Sequence, residues 1–400
     1  MTDFPSLDYS FFSPERIRLG WGSRREVGTL ARPFGERAYI ICGSRTLAAN
    51  GLLDELKQNL VAAGIEAVPL ATIEREPEVV DVDAAVETLR PIVRGSGDLV
   101  IAIGGGSAID LAKAVSALAT NREGETVADY LEGVGKGLKI VNPPLPVLAM
   151  PTTAGTGSEA TKNAVISNYS PLFKKSLRSD LMVPRAVLID PELTVGLSKE
   201  TTAHTGMDAI TQLVESFISK RAKPIPRALC LQGLEMALPS LAEACENPTS
   251  RSAREKMAHA ALLSGIALAN SGLGMAHGVA AALGVHCGVP HGLACAVVLP
   301  ATLRANREVS REDLATLSCL VPADAPFAFD PTTIDGSADA FIRFIEALGR
   351  QIGIPSRLSE MGVRADHIPA LVKASRGNSM DGNPREISDG ELTAILTGML

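Results

Sequence analysis

Several features that would point to particular classes of protein are missing from this 400-residue sequence. None of its six cysteines belongs to a CxxC pair, so we expect them to be reduced, small apolar residues. With 38 Lys and Arg against 45 Asp and Glu, the sequence has no basic footprint for nucleic acid or an anionic membrane. No apolar run approaches the roughly 20 residues that cross a bilayer, and residues 1–12 lack the pattern of a signal peptide. We therefore expect a cytoplasmic protein without nucleic-acid or membrane partners.

The first half of the sequence alternates short apolar runs with stretches of helical spacing, and the second half has helical spacing throughout. Near-continuous apolar runs are typical of strands that are buried on both faces of a parallel sheet. The sequence therefore predicts an α/β domain over residues 1–195, with a doubly wound, mostly parallel, Rossmann-like sheet, and an all-α domain over residues 196–400. The predicted strands are 38–42, 98–103, 146–150 and 186–189, and the predicted helices are 52–63, 80–93, 108–118, 203–219, 227–241, 252–270 and 338–348.

A glycine-rich loop follows the predicted strand at 98–103. Its residues Gly104, Gly105, Gly106 and Ser107 lead directly into a predicted helix. Glycines let the backbone approach a ligand closely, and a helix N-terminus offers free N–H groups to a diphosphate. The loop lacks the GxGxxG spacing of the usual dinucleotide fingerprint. It indicates a phosphate-binding loop, the alternative being a plain turn in which Ser107 caps the helix.

A second loop, rich in threonine and glycine, spans residues 151–159 after the predicted strand at 146–150. Because the carboxyl ends of parallel strands meet at one edge of a sheet, we expect this loop to lie on the same side as the glycine-rich one. Taken alone, it is explained equally well as a polar turn without a ligand. Two such loops at one edge favour a bound nucleotide.

Four candidate metal ligands are concentrated in the second half of the sequence. Asp208 and Gln212 are four residues apart and would share one face of a helix, while His277 and His291 lie in glycine-rich stretches typical of a helix followed by a turn. One carboxylate, one amide and two imidazoles make a mixed shell for a divalent metal. Each residue alone has a simpler explanation: an ion-paired or solvent-facing Asp208, a core His277 and a turn residue His291. Cys287, between the two histidines, is a less favoured zinc ligand.

Taken in order, these motifs resemble the iron-containing (group III) alcohol dehydrogenase family over nearly the whole chain. The family has an N-terminal dinucleotide-binding α/β domain and a C-terminal helical domain, and its members usually form homo-oligomers. The resemblance implies an NAD(P)-dependent alcohol dehydrogenase or aldehyde reductase that forms a homodimer or a larger homo-oligomer. The matching residues are Gly104–Ser107, Asp110, Lys113, Pro151–Thr153, Thr156, Ser158, Glu159, Asp190–Thr194, Gly206–Ala209, His277 and Pro290–Gly292.

The resemblance also assigns the site residues. It implies that Asp208, His277 and His291 hold a catalytic divalent metal, Fe or Zn, in the helical domain, and that the two loops bind the cofactor. The implied cofactor-binding residues are Gly43, Ser44, Arg45, Gly104, Gly105, Gly106, Ser107, Asp110, Thr152, Thr153, Thr156, Asn163 and Lys174.

The sequence departs from the family at two positions in the helical domain. Where the family has a histidine four residues after the metal-binding Asp, this chain has Gln212, which is neutral and a weaker ligand. We keep Gln212 as a candidate fourth ligand and expect weaker iron retention, with Zn²⁺ or an empty site as the alternatives. Where the family commonly has a histidine four residues after His277, this chain has Ala281, so a proton relay would use His204, His286 or water.

The cofactor preference depends on the end of the predicted strand at 38–42. NAD-preferring relatives have an aspartate there that repels a 2′-phosphate, whereas this chain has Cys42 followed by Gly43, Ser44 and Arg45. A hydroxyl and a cation without a carboxylate admit the extra phosphate, so the sequence favours NADP(H) over NAD(H). The alternative is that Arg45 simply begins the next helix.

The predicted reaction is reversible hydride transfer between a small alcohol or aldehyde and the nicotinamide. Three alternatives stay open: a reductase of carboxylated substrates similar to maleylacetate reductase, a lyase similar to dehydroquinate synthase, and a nucleotide-binding relative without catalysis. The first would need a cationic pocket, for which Lys220, Arg221 and Lys223 are the nearest cations in the sequence.

Overall fold

The computed structural model describes residues 8–44, 47, 49–322 and 333–400, which divide into two compact units. The α/β unit comprises residues 12–153 and 157–194. The helical unit comprises residues 195–400 together with residues 154–156 and the described N-terminal residues up to Phe11. Residues 154–156, in the middle of the threonine-rich loop, thus belong to the helical unit although they follow a strand of the other one.

The α/β unit is built on a six-stranded sheet in which all paired strands run parallel. Its strands are β1 (Arg16–Leu19), β2 (Arg37–Cys42), β3 (Glu66–Thr72), β4 (Asp98–Gly104), β5 (Val147–Pro151) and β8 (Ala186–Ile189), in the spatial order β1-β8-β5-β4-β2-β3. Strands β2, β4, β5 and β8 are buried along their whole length, as their apolar runs predict. The predicted parallel α/β fold is confirmed.

Helices cover both faces of this sheet. They are α1 (Val27–Ala31), α2 (Leu52–Ala62), α3 (Val79–Leu89) and α4 (Gly106–Thr120). Because successive side chains of a strand point to opposite faces, Tyr39 and Val100 pack with α3 and α4, while Ile40 and Ile101 pack with α1 and α2. Two separate cores result, and they hold the carboxyl ends of β4 and β5 in fixed positions.

An antiparallel hairpin lies outside the six-stranded sheet. It consists of β6 (Asn163–Tyr169) and β7 (Leu172–Arg178), paired in register from Asn163 opposite Arg178 to Tyr169 opposite Leu172. Ala164 and Ile166 are buried in the same core as α4. The hairpin therefore fixes the segment that follows the threonine-rich loop.

The helical unit is arranged around one long helix that is buried over most of its length. Its helices are α5 (Lys199–Ile218), α6 (Pro224–Glu246), α7 (Arg251–Ser271), α8 (Met275–Cys287), α9 (His291–Asn306), α10 (Arg311–Ser318), α11 (Ile334–Gln351), α12 (Ile368–Ala374) and α13 (Asp389–Gly398). Helix α5 packs against α6, α7 and α9, and every residue from Gly206 to Ile218 is buried. A helix buried in this way must find partners for its polar side chains within the protein.

Among the described residues, no single helix has the length and apolar character needed to cross a membrane. The consecutive helices α7 and α8, bent by 103° relative to each other, meet the requirement only as a pair, on length and composition alone.

Candidate metal centre and cofactor loops

Helix α5 carries three polar side chains on one buried face. The helix begins after Ser198, whose hydroxyl oxygen accepts a hydrogen bond from the Thr201 N–H at 3.0 Å. Asp208, Gln212 and Glu215 follow at intervals of four and three residues, which places them on the same side of the helix. Each is at most 3% exposed. Their partners come from α7, α8 and α9.

A close approach of α9 to α5 brings two of the predicted ligands together. Gly292 lies so near α5 that a Cβ atom added to it would be 2.5 Å from the His204 carbonyl oxygen and 3.5 Å from Asp208 Cβ. Only glycine fits without a shift of the backbone. The preceding residue, His291, is the first of α9, and it therefore lies beside Asp208. His277 reaches the same place from the first turn of α8.

Donor atoms from three helices meet around Asp208. Its Oδ1 atom lies 3.3 Å from His277 Nε2 and 3.9 Å from His291 Nε2. The thiol of Cys295 joins them, with Sγ 3.7 Å from His291 Nε2. One donor atom from each of these four side chains lies within 4.8 Å of the other three. A carboxylate, two imidazoles and a thiol are ligands for a divalent transition metal, so the donor set fits such an ion.

Glu215 orients His277. Its Oε2 atom accepts a hydrogen bond from His277 Nδ1 at 2.6 Å, and its Oε1 atom accepts one from the Ala276 N–H at 2.7 Å. The carboxylate therefore lies at the N-terminus of α8, where a negative charge is stabilised by the helix. This hydrogen bond from Nδ1 to a carboxylate is the usual second contact of a metal-binding histidine, and it leaves Nε2 as the nitrogen that faces Asp208.

Burial and charge together shift the pKa values of this cluster. Burial alone raises the pKa of Asp208, but the hydrogen bond with His277 and the adjacent imidazoles outweigh it and lower the pKa. Burial opposes protonation of His277, yet contacts with Cys295, Asp208 and Glu215 raise its pKa well above the usual value. Burial raises the pKa of the Cys295 thiol to about 12. Asp208 is thus ionised at neutral pH and supplies the negative charge that attracts a cation.

Gln212 is buried one turn after Asp208, and its Oε1 atom lies 2.7 Å from the Ser264 hydroxyl of α7. The same hydroxyl lies 2.8 Å from the Ala261 carbonyl oxygen, so its single proton is shared between two acceptors. Cys287, the less favoured zinc ligand, lies instead near His367, with Sγ 3.5 Å from Nδ1. The cysteine that joins the predicted ligands is Cys295 rather than Cys287.

The glycine-rich loop joins β4 to α4 at the carboxyl edge of the sheet. Helix α4 begins at Gly106, and its N-cap residue is Gly105, without a side-chain cap. Ser107 is therefore inside the helix, which contradicts the alternative in which it caps the helix. Gly104 has φ +154°, and a Cβ atom there would lie 2.6 Å from Gly43 Cα. The ends of β2 and β4 thus lie so close together that only glycine fits at position 104.

The threonine-rich loop begins beside the glycine-rich one. The Thr152 N–H donates to the Gly104 carbonyl oxygen at 3.0 Å. The Thr153 side chain would be 3.5 Å from a Cβ atom on Gly105. Both loops therefore start at one edge of the sheet, as adjacent parallel strands require. Thr156, which the resemblance also assigned to the cofactor, belongs to the helical unit.

Asp110 and Lys113 hold the segment after the threonine-rich loop. Lys113 is 1% exposed, and its Nζ atom donates to Ser158 Oγ and Thr161 Oγ1, both at 2.8 Å, and to the Asn163 carbonyl oxygen. Asp110 Oδ1 lies 3.0 Å from the same ammonium group and also accepts from the Ser158 hydroxyl. The side chain of Asp110, an implied cofactor-binding residue, is thus bound to the protein itself.

The remaining implied cofactor residues have varied surroundings. Lys174 donates to Glu76 Oε1 at 2.6 Å, so its charge is paired. The Oδ1 atom of Asn163 is buried and has no hydrogen-bond partner among the described residues. Gly43 and Ser44 are half-buried after β2, and Arg45 lies outside the described residues.

Comparison with known proteins identifies the family. Residues 14–191 match the family model of iron-containing alcohol dehydrogenases, and residues 202–400 match that of the C-terminal region of the Fe-containing alcohol dehydrogenase family. The chain belongs to the iron-containing alcohol dehydrogenase family. It is 30% identical to the NAD-dependent methanol dehydrogenase of Bacillus methanolicus, over 98% of this chain and 100% of that protein. It is 32% identical to the 1,3-propanediol dehydrogenase of Klebsiella pneumoniae, over 99% of this chain and 98% of that one.

Solved structures agree with the sequence comparison. A crystal structure of 1,3-propanediol oxidoreductase superposes with a TM-score of 0.89 at 30% identity, over 98% of this chain and 100% of that one. The fold and the enzyme class expected from the motifs are confirmed: this iron-containing alcohol dehydrogenase is a metal-dependent, NAD(P)-dependent alcohol dehydrogenase or aldehyde reductase.

Two residues of this alcohol dehydrogenase site were not identified from the sequence. Cys295 is four residues after His291, so the i, i+4 spacing within a helix was the available signal. Glu215 is seven residues after Asp208 and lies on the same helical face. The charge of Glu215 alone could not reveal its partner, because His277 is distant in the sequence.

Proposed function

We propose that this alcohol dehydrogenase interconverts a small alcohol and its aldehyde by using a divalent metal held by Asp208, His277 and His291. The observation that carries the proposal is the convergence of these side chains from α5, α8 and α9, each with a donor atom within 4.8 Å of the others. The side chain of His291 is 29% exposed, so the donor set is accessible from one side. Gln212 stays a candidate ligand, and its carbonyl oxygen lies 2.7 Å from the Ser264 hydroxyl.

The protein groups have separate roles in this proposal. Asp208 supplies a buried negative charge, and Glu215 holds His277 in the orientation that presents Nε2. A divalent ion at this site supplies Lewis-acid polarisation of the substrate oxygen, and the nicotinamide carries the hydride. The proton relay expected at His204, His286 or water stays a prediction.

The glycine-rich loop and Thr152 and Thr153 are proposed to hold the nicotinamide dinucleotide. Three observations support a fit: the close approach of Gly43 to Gly104, the helix N-terminus at Gly106, and the buried Asn163 Oδ1 atom without a partner. Such an acceptor would suit an amide donor, such as the carboxamide of the nicotinamide. Binding by Ser107, Thr156 and Lys174 remains part of the proposal.

We propose that both NADH and NADPH are accepted. The Bacillus relative is named as NAD-dependent. In this chain the end of β2 carries Cys42, Gly43 and Ser44, none of which would repel a 2′-phosphate. The preference for NADP(H) expected from Arg45 stays a prediction.

The proposed substrate is a small alcohol or aldehyde, in keeping with the relatives named for methanol and 1,3-propanediol. A carboxylated substrate would need a free cation near the metal helix. Arg221, one of the candidate cations, donates to the neutral Asn378 Oδ1 at 2.9 Å, so the maleylacetate-like alternative stays open. We also propose a cytoplasmic homodimer or larger homo-oligomer, which light scattering of the purified protein would test.

The test combines metal analysis with a substrate panel. Purified protein is analysed for bound metal and assayed on short aldehydes with NADH and with NADPH. We expect one metal ion per chain and turnover with both cofactors, and His277→Ala and His291→Ala should lose both metal and turnover. His259→Ala, at a half-buried histidine of α7 outside the cluster, is the matched control and should retain both. Turnover by His277→Ala without bound metal would contradict the proposal.

A further inference from the structure

Cys295 is the fourth donor in the cluster around Asp208. It lies one helical turn after His291 on α9 and is fully buried. Its Sγ atom is 3.7 Å from His291 Nε2 and belongs to the group of four donors that lie within 4.8 Å of one another. The thiol therefore points into the cluster formed by the three proposed ligands.

Three of the six distances between these donors lie close to the edges of a tetrahedral site, and all six are within 4.8 Å. A zinc ion bonded to nitrogen or oxygen at about 2.0–2.1 Å and to sulfur at about 2.3 Å has donors separated by about 3.4–3.6 Å. The observed separations are 3.3 Å from Asp208 to His277 and 3.7 Å from Cys295 to His291. The 3.9 Å separation from Asp208 to His291 needs to shorten by only a few tenths of an ångström.

The alternative fourth ligand is less suited to the position. The carbonyl of Gln212 lies 2.7 Å from the Ser264 hydroxyl, whose single proton is shared with the Ala261 carbonyl oxygen, and a neutral amide is a weak ligand for a transition metal. A thiolate binds zinc strongly. Four protein ligands remain compatible with catalysis, because catalytic zinc sites can expand to five ligands.

We propose that Cys295 completes an Asp/His/His/Cys site in this chain and makes it selective for Zn²⁺ over Fe²⁺. The proposal rests on the proposed function, in which Asp208, His277 and His291 hold the metal. Coordination replaces the thiol proton, which passes to solvent. The sulfur ligand distinguishes this site from one built of carboxylate and imidazole alone.

Cobalt(II) substitution tests the proposal without relying on turnover. Metal-free wild-type protein is titrated with Co²⁺, and the near-ultraviolet sulfur-to-cobalt charge-transfer band is recorded with the amount of bound cobalt. We expect one cobalt per chain with the band present, and Cys295→Ser should lose the band. Cys287→Ser is the matched control, since this half-buried cysteine lies near His367, and it should keep the band.

Competition with a chelator gives a second measurement. Because changes outside the coordination shell already cost about 10–100-fold in metal affinity, Cys295→Ser should weaken Zn²⁺ binding by about tenfold or more. Most sites favour zinc over iron, so the comparison is with the variant: offered equal Zn²⁺ and Fe²⁺, the wild type should retain a larger excess of zinc than Cys295→Ser.

The outcomes separate the two proposals. One cobalt bound by the wild type without the charge-transfer band would overturn the role of Cys295 and leave the proposed function intact, whether or not Cys295→Ser folds. No cobalt or zinc bound by the wild type would contradict the proposed function itself. A band that Cys287→Ser abolishes and Cys295→Ser retains would also overturn the proposal.

Discussion

Replacing Glu215 with Gln tests whether its carboxylate positions His277. The carboxylate accepts hydrogen bonds from His277 Nδ1 at 2.6 Å and from the Ala276 N–H at 2.7 Å. A glutamine has the same shape but only one acceptor oxygen, so its NH₂ group would face one of these two donors. The variant loses a charge-assisted hydrogen bond and the favourable charge at the N-terminus of α8. We expect the free energy of unfolding to fall by about 2–4 kcal/mol in the metal-free protein.

The loss of orientation should appear separately in metal binding. Outer contacts of metal-binding histidines are worth about 10–100-fold in affinity, and we expect a loss in this range for Glu215→Gln. Urea unfolding of the metal-free protein and chelator competition for zinc measure the two effects. Glu235→Gln, at an exposed position on α6, is the matched control and should change neither. If Glu215→Gln binds zinc within twofold of the wild type, the positioning role is refuted.

Two further predictions concern the approach of α9 to α5 and a buried carboxyl group. Gly292→Ala places a methyl group 2.5 Å from the His204 carbonyl oxygen, so α9 must shift. We expect kcat to fall by about 100-fold in steady-state assays. The control variant Gly390→Ala, with open space around the added methyl group, should leave kcat unchanged. Burial raises the pKa of Glu159 to about 7, although the charge of Lys113 opposes this shift. The native state therefore binds the proton more tightly than the unfolded state. As a result, the free energy of unfolding should fall as the pH rises from about 4.5 to about 7. Glu159→Gln should remove this contribution of roughly 3 kcal/mol, measured by urea unfolding at pH 5 and pH 8, and an unchanged pH dependence would contradict the assignment.

The sequence predicted the buried strands of the sheet well and its less buried strands poorly. Strands β2, β4, β5 and β8 have continuous apolar runs because both of their faces are covered. Strand β3 lies at an edge of the sheet, contains Pro69 and is partly exposed, so its sequence lacks such a run. Strand β6 mixes buried and half-buried residues, and β7 is half-buried at most positions and includes Lys174 and Lys175, so neither has a continuous apolar run.

The donor cluster was predictable only in part, because local patterns carry no information about which distant residues meet. Asp208, His277 and His291 were candidates by residue type and spacing, and the resemblance to the family assigned them the metal. The only sequence signal for Cys295 was its i, i+4 spacing from His291. Its apolar neighbours on α9 are equally typical of a core residue. Glu215 was not singled out by the sequence, which does not show that α5 is buried on all sides in this region. Its role depends on the N-terminus of α8, which only the fold brings to it.

The ammonium group of Lys113 also affects how much conformational entropy the chain would lose when a cofactor binds. Its hydrogen bonds to Ser158, Thr161 and the Asn163 carbonyl oxygen hold the segment after the threonine-rich loop in one conformation. Ordering a flexible backbone costs about 1–2 kcal/mol per residue, and a ligand that closes on a mobile loop bears that cost. Here the lysine has ordered residues 158–163 before any ligand arrives. The nicotinamide half of the cofactor would therefore meet a rigid surface, and its affinity should depend little on loop closure.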